Sequence, residues 1–324
     1  MAKMSAAVIG LRKHAGLHIK MLKEDSRVSL DRVYYHQSAP IEFADLPITG
    51  DLSECIDSDI IIVSSPTDRH LEQLEYLGQY SGYILIEKPA VNTQEQIEKL
   101  LQLPDEIKRR MRVNFNFQFH DLGILVRELI KSGKLGRIFS FDMHSTHGAA
   151  FRGEWKNAWR IKGGTGLGPL ETTGIHYVQY ASSLFGDCQD STIYTDCLSG
   201  KEGAVDTGIL NLVMGNGVWA RIRHSYAAPC AVRMEIWGTE GYFIYDDDGA
   251  ALHYPRETFD DRGYFKKPPQ QEQWSINFQQ AWSSSLVRAQ ADFVSVAAKR
   301  GEFATQNFDR DVRSMEALLN GRRI

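Results

Sequence analysis

Lys88 has the clearest chemical placement of any side chain in this sequence. It follows the run Tyr83-Ile84-Leu85-Ile86-Glu87, and Pro89 comes next, so a short apolar, β-rich stretch stops abruptly at Glu-Lys-Pro. That composition predicts a buried strand whose carboxyl end carries a lysine. In open α/β sheets, ligands bind just outside the carboxyl ends of the strands. Pro89 has no backbone N–H and a fixed φ, so it ends the strand and holds Lys88 beside a rigid turn. A lysine placed there can donate to a substrate oxygen or move a proton. Taken alone, the pattern is read more simply as a solvated lysine at a strand end, since most lysines are solvated.

A second chemical pattern opens the chain. Ala6-Ala7-Val8-Ile9-Gly10 reads as a strand ending in glycine, with a helix after it. In a dinucleotide fold that junction receives a pyrophosphate on backbone N–H groups and the helix dipole. The usual spacing is Gly-x-Gly-x-x-Gly; here Gly10 fills the first position, Arg12 the second and Ala15 the third. Ala15 is small enough for close helix–strand packing. Arg12 puts a side chain where backbone normally approaches the phosphates. Either Arg12, with Lys13 and His14 beside it, contacts phosphate itself, or cofactor binding is weakened or lost. The next strand ends in Tyr34-Tyr35-His36-Gln37-Ser38, without the carboxylate that grips the ribose 2′-hydroxyl of NAD. A 2′-phosphate is tolerated there, with Arg12, His36 or Ser38 as partners, which favours NADP over NAD.

The elements that must position these groups alternate in the first third of the chain. Strands are predicted at 6–10, 28–35, 59–63, 83–86 and 112–117, with helices at 18–24, 70–80 and 93–103. Asn92 or Thr93 can cap the last of these helices. Fully apolar strands alternating with helices predict a parallel sheet covered on both faces. Beyond about residue 120 the pattern changes. One helix, 122–132, stops at Gly133. Strand-like segments then run over 137–144 and 207–254, joined by glycine turns at Gly215-Asn216-Gly217 and Gly238-Thr239-Glu240-Gly241. A helix is predicted over 276–300 and another over 309–319. The chain is expected to hold a Rossmann NAD(P)-binding domain at 1–119 and an α+β domain with a large, open, mostly antiparallel sheet at 120–324.

The 324 residues are long enough for two domains, and a net charge of −4 gives no general attraction to nucleic acid or anionic membrane. Cys55, Cys188, Cys197 and Cys230 show neither C-x-x-C spacing nor a metal-ligand cluster. Reduced thiols in a cytoplasmic protein without a metal site are expected. The apolar run at 6–11 is too short for a signal-peptide core, and no stretch is long enough to span a bilayer.

Several motifs fall in a shared order. They are the Gly10 turn with His18, Ser65-Pro66-Thr67 with His70, Glu87-Lys88-Pro89, and Val113-Asn114-Phe115-Asn116 with Phe119. Next come Lys131-Ser132-Gly133-Lys134-Leu135-Gly136-Arg137-Ile138, the glycine-rich approach from Gly166 to His176, and Gly238-Thr239-Glu240-Gly241. In this order the chain resembles, over nearly its whole length, the glucose–fructose oxidoreductase / inositol 2-dehydrogenase / rhizopine-catabolism (Gfo/Idh/MocA) family. The resemblance implies a nicotinamide cofactor, a sugar, sugar-nucleotide, cyclitol or polyol substrate, and a homodimer or homotetramer formed through the open sheet.

The resemblance also implies site residues. Lys88 matches the lysine that bonds the reacting oxygen and helps move its proton. His176 matches the histidine proposed as acid/base, which its near-neutral reference pKa suits. The cofactor surface comprises Gly10, Leu11, Arg12, Lys13 and His14 at the first turn, His36 after the second strand, and Ser64, Ser65, Pro66, Thr67 and His70 after residue 63. Glu87, Lys88 and Asn116 complete it. The substrate surface comprises Lys88, Asn116, Trp159, Arg160, Lys162, Thr172, Thr173 and His176. Arg160 and Lys162 can meet an anionic substrate, or are surface charges on a loop.

One departure matters. The family aspartate four residues before the histidine is Thr172 here, which can orient an imidazole but contributes no charge. Weight therefore shifts from His176 to Lys88. Gln179 likewise stands where an acidic residue is common. The leading expectation is an NAD(P)-dependent oxidoreductase of a carbohydrate or polyol. The alternatives are a catalytically impaired nucleotide- or sugar-binding protein, and a non-redox enzyme that returns the hydride to substrate within one cycle.

Overall fold

The structure, a computed structural model, describes residues 3–11, 13–37, 40–152, 166–200, 204–247 and 249–324. The chain divides into two compact units, residues 1–116 with 286–312, and residues 117–285 with 313–324.

The first unit is built on six parallel strands: β1 (Met4–Ile9), β2 (Val28–Tyr34), β3 (Ile48–Thr49), β4 (Ile60–Val63), β5 (Tyr83–Ile86) and β6 (Met111–Val113). Their order, β3-β2-β1-β4-β5-β6, is that of a dinucleotide-binding sheet, with the order reversing at β1. All four residues of β4 are buried, as a strand covered on both faces requires. Helix α1 (His14–Glu24) buries Ala15, His18, Ile19 and Leu22, one face at helical spacing. It begins a turn earlier than residue 18 because Ala15 already joins the core.

Helix α2 (His70–Tyr76) stops short of the expected residue 80. There the chain turns at Gly78, and the Tyr80 hydroxyl donates to the Ser58 carbonyl at 2.6 Å. Helix α3 (Gln94–Leu101) is capped by Thr93, whose side chain accepts the Gln96 N–H, and α4 (Asp105–Lys108) follows. The strand expected over 112–117 ends at Val113. Asn114 then turns its side chain onto Glu87, and a 3₁₀ turn follows at Asn116–Phe119.

The second unit begins with α5 (Asp121–Lys131), capped by the buried His120, whose Nδ1 accepts the Leu122 N–H. A nine-stranded sheet follows. Its strands are β7 (Ile138–Thr146), β8 (Cys188–Asp196), β9 (Thr207–Met214), β10 (Trp219–Ser225), β11 (Ala231–Gly238), β12 (Tyr242–Asp246), β13 (Gly249–His253), β14 (Gln270–Trp274) and β15 (Arg322–Arg323). The order is β14-β13-β12-β11-β7-β10-β9-β8-β15. Neighbours are antiparallel except β7 with β10 and β8 with β15, so the sheet is mixed and mostly antiparallel. Both glycine turns serve as expected: 215–217 joins β9 to β10, and 239–241 joins β11 to β12.

Burial alternates with period two along β9, β10 and β11. On the inner face lies α6 (Ile175–Phe185), in which only Ser183 and Leu184 are not buried. The outer face carries Tyr194, Trp219, Arg221 and Arg233, all exposed. Strand β8 and helix α6 have no counterpart in the sequence reading.

The long helix α7 (Phe278–Ala298) and α8 (Thr305–Arg313) occupy the stretches expected to be helical, followed by α9 (Glu316–Leu319). The expected second domain of residues 120–324 differs from the observed division in one segment. Residues 286–312 belong to the first unit because Phe293, Val294 and Ala297 bury into the same core as Val8, Leu22 and Leu85. Phe293 also stacks on Phe303, with ring centroids 5.8 Å apart. No helix among the described residues is long and apolar enough to cross a membrane. No group of three metal-ligating side chains occurs among them, and all four cysteines are free.

Candidate active site

In the first unit the expected residues gather at the carboxyl ends of β1, β4 and β5. The turn after β1 is tight: Gly10 has φ +120°, and a Cβ there would lie 2.6 Å from the Ser64 carbonyl oxygen. Only glycine fits that approach, which brings the β1 and β4 ends together. We expect Gly10→Ala to cost on the order of 1–3 kcal/mol, read as a lower midpoint in denaturant unfolding; an unchanged midpoint contradicts this account.

Helix α1 starts just beyond, with Lys13 at its N-cap at φ 52°, no side-chain cap and no acidic residue in its first turn. Its leading N–H groups and the positive end of its dipole suit an anion. His14 and Lys13 are exposed beside it. Leu11 is 1% exposed and belongs to the core, so only its backbone is placed to meet a ligand. Arg12 and Ser38 lie outside the described residues. His36 is exposed after β2.

At the end of β4, the Ser64 hydroxyl is buried with no hydrogen-bond partner among the described residues, the state of a group awaiting a polar ligand. Ser65 donates to Gln73 at 2.6 Å. Pro66 is exposed and Thr67 half-buried. His70 is 1% exposed, with Nε2 2.9 Å from the Ser65 carbonyl and Nδ1 3.1 Å from that of Ala90. Burial is the larger influence and holds its pKa below the usual histidine value, against the pull of those carbonyls. His70 thus braces two loops rather than presenting its ring outward.

Glu87 is likewise turned inward. It is 7% exposed; Oε1 receives His18 Nε2 at 2.9 Å and Asn114 Nδ2 at 2.7 Å, and Oε2 receives the Lys88 N–H at 3.2 Å. Burial opposes the charge. The hydrogen bond from His18 and the fields of His18, His14 and Lys88 outweigh it, holding the carboxyl well below the usual carboxylate range. Lys88 is half-buried, its bond to Pro89 is cis, and Asn116 is 1% exposed.

In the second unit, Thr172 and Thr173 lie on a single π-helical turn, Leu170–Gly174, that leads into α6, where His176 sits. Such turns are frequent at functional sites. The Thr172 hydroxyl bonds Tyr226 and lies 3.3 Å from the Gly168 carbonyl; the Thr173 hydroxyl is 3.3 Å from the same tyrosine oxygen. Tyr226 stacks on His147, ring centroids 4.8 Å apart. His176 is 2% exposed and meets Trp282 edge to face at 5.1 Å. Gln179 is buried one turn further along α6. Trp159, Arg160 and Lys162 lie outside the described residues.

Sequence reasoning gave no role to Tyr226, His147, Asn114 or Gln290. Tyr226 directly follows the end of β10. Nothing local distinguishes Gln290 from other helix-borne glutamines.

A family model described as "Oxidoreductase family, NAD-binding Rossmann fold" matches residues 4–115, and one described as "GFO/IDH/MocA C-terminal domain" matches residues 124–244. The chain is 26% identical over 228 residues to scyllo-inositol 2-dehydrogenase (NADP(+)) IolW of Bacillus subtilis; the match covers 68% of this chain and about six-tenths (62%) of that relative's length. It is 23% identical over 260 residues to inositol 2-dehydrogenase of Rhizobium meliloti, covering 78% of this chain and 74% of that one. Among solved structures, scyllo-inositol dehydrogenase from Lactobacillus casei with bound NAD(H) and scyllo-inositol has the same fold, with a TM-score of 0.78 at 17% identity, covering 99% of this chain and 97% of that one. With both of its domains matched in order, the chain belongs to the Gfo/Idh/MocA family of oxidoreductases.

Proposed function

We propose that this protein is an NAD(P)-dependent dehydrogenase or reductase acting on a CH–OH group of a cyclitol, sugar or sugar derivative. The observation that carries the reading is Lys88, held at the end of β5 by Glu87, in the same sheet as the uncapped start of α1. A bound nicotinamide ring supplies or accepts the hydride. The rest falls to this chain. The Gly10 turn and the N–H groups of α1 hold the pyrophosphate, with Lys13 and His14 adding positive charge. The Ser64 hydroxyl donates to the cofactor. Lys88 Nζ hydrogen-bonds the reacting oxygen, takes its proton on oxidation and returns it on reduction. Asn116 is the further substrate contact proposed in the first unit; Thr172, Thr173 and His176 are kept as substrate candidates of the second unit by their place in the family motif. NADP is favoured over NAD because His36 stands exposed where a carboxylate would repel a 2′-phosphate, and IolW is NADP-dependent by its name. The free cysteines fit a cytoplasmic protein.

The test is titration calorimetry with NADPH and NADH separately, followed by oxidation assays with scyllo-inositol, myo-inositol and glucose 6-phosphate. Tight binding of one cofactor and its reduction by one of these supports the reading. Absence of binding by both overturns it.

The oligomer is assigned to the outer face of the nine-stranded sheet. Trp219 is 66% exposed there and Tyr194 39%, beside the Trp237–Tyr242 stack. Large exposed aromatics on one face mark an interface. Trp219→Asp is expected to convert a homodimer or homotetramer to smaller species in light scattering; an unchanged mass contradicts the assignment.

A further inference from the structure

Behind Lys88 lies a chain of four buried polar side chains, of which only Glu87 belongs to the expected site. His18 is 1% exposed, Asn114 3% and Gln290 3%, and all of them belong to the first unit. His18 stands between two acceptors: Nδ1 is 2.6 Å from Gln290 Oε1, and Nε2 is 2.9 Å from Glu87 Oε1. An amide oxygen and an ionised carboxylate can only accept. Both hydrogen bonds can be made at once only with a hydrogen on each ring nitrogen. Gln290 reaches this position from α7, in the segment that packs with the first sheet.

We propose that Gln290 and His18 are positioning residues for Lys88: Gln290 keeps His18 doubly protonated, and the imidazolium compensates the charge of the carboxylate that holds the Lys88 backbone. The inference rests on the reading of Lys88 as the proton-handling group. A bare carboxylate beside Lys88 favours its ammonium form. A compensated carboxylate does so less, which leaves the lysine nearer to exchanging its proton during turnover. The charged and titratable groups around Glu87 are His14 and His18 from α1, His70 from α2, and Lys88 itself. His18 joins the carboxylate side chain to side chain, Nε2 to Oε1 at 2.9 Å.

The test is nitrogen-15 NMR of the full-length protein near neutral pH, with the His18 ring assigned by its loss in His18→Gln. The wild type is expected to show both ring nitrogens protonated. Gln290→Leu is expected to show a neutral ring, with its one hydrogen on Nε2 facing Glu87. Gln290→Glu keeps an acceptor and is expected to keep the imidazolium, which provides a second readout if the leucine variant does not fold. In scyllo-inositol oxidation with NADP, the pH limb of kcat/KM is expected to rise by about one unit in Gln290→Leu, roughly a tenfold loss at fixed pH below it, with KM little changed. A wild-type His18 with one ring hydrogen overturns the proposal. So does a Gln290→Leu variant whose ring state and pH limb both match the wild type. Absence of turnover with every substrate tested would count against the dehydrogenase reading, and the NMR result would then decide the inference by itself.

Discussion

Lys88→Ala is expected to lower turnover by about 10²–10⁴-fold, the usual contribution of a positioned acid–base group, while cofactor affinity stays within a few-fold. The separation follows from the architecture. Pyrophosphate binding is assigned to the Gly10 turn and α1, whereas Lys88 sits at the end of β5, its backbone N–H on Glu87 Oε2. Lys88→Arg sharpens the test. It keeps a positive charge but cannot give up a proton, because guanidinium stays charged at all working pH values. If the lysine moves a proton, the arginine variant fails nearly as badly as alanine; if it only contributes charge, arginine restores much of the rate. Steady-state kinetics with calorimetric cofactor binding reads both. An alanine variant within tenfold of wild type would remove Lys88 from the mechanism.

The second large effect is on stability. Glu87→Ala leaves the donors on His18 and Asn114 buried without their acceptor. Breaking a buried charged pair from one side typically costs about 3–5 kcal/mol, a drop in midpoint on the order of 10 °C for a unit of this size. The pH dependence has a definite sign. The folded-state pKa of Glu87 lies below its unfolded value. Its stabilisation is therefore complete above the usual glutamate pKa of about 4.3 and disappears as pH falls through the lower folded value. Urea midpoints measured down through that window should fall more steeply for wild type than for Glu87→Ala. Parallel curves would show that the carboxylate is not held in its charged form.

Much of the candidate site's local structure was legible in the sequence. The strand that delivers Lys88 shows in four apolar residues stopped by Glu-Lys-Pro, and the candidate phosphate turn shows in a glycine placed between a strand and a helix. These are patterns of near neighbours, and strand burial and turn chemistry act over a few residues. The roles of Glu87 and His70 were not legible, because a carboxylate or imidazole at a strand end reads the same whether it faces outward or into the core. Here His18 and Asn114 draw Glu87 inward, and the carbonyls of Ser65 and Ala90 hold His70. In the second unit, the partner of Thr172 is Tyr226, 54 residues away, and no local rule pairs them.

The sequence by itself determined most elements of the first sheet, the change to an open sheet after it, and the residues at the strand ends, because periodicity and turn residues encode each element within its own length. Only the tertiary structure decided that residues 286–312 return to the first unit and bring Gln290 to His18. That contact spans 272 residues and depends on which apolar face finds which core. Phe293 and Val294 look like any buried helical pair until the core they fill has been built.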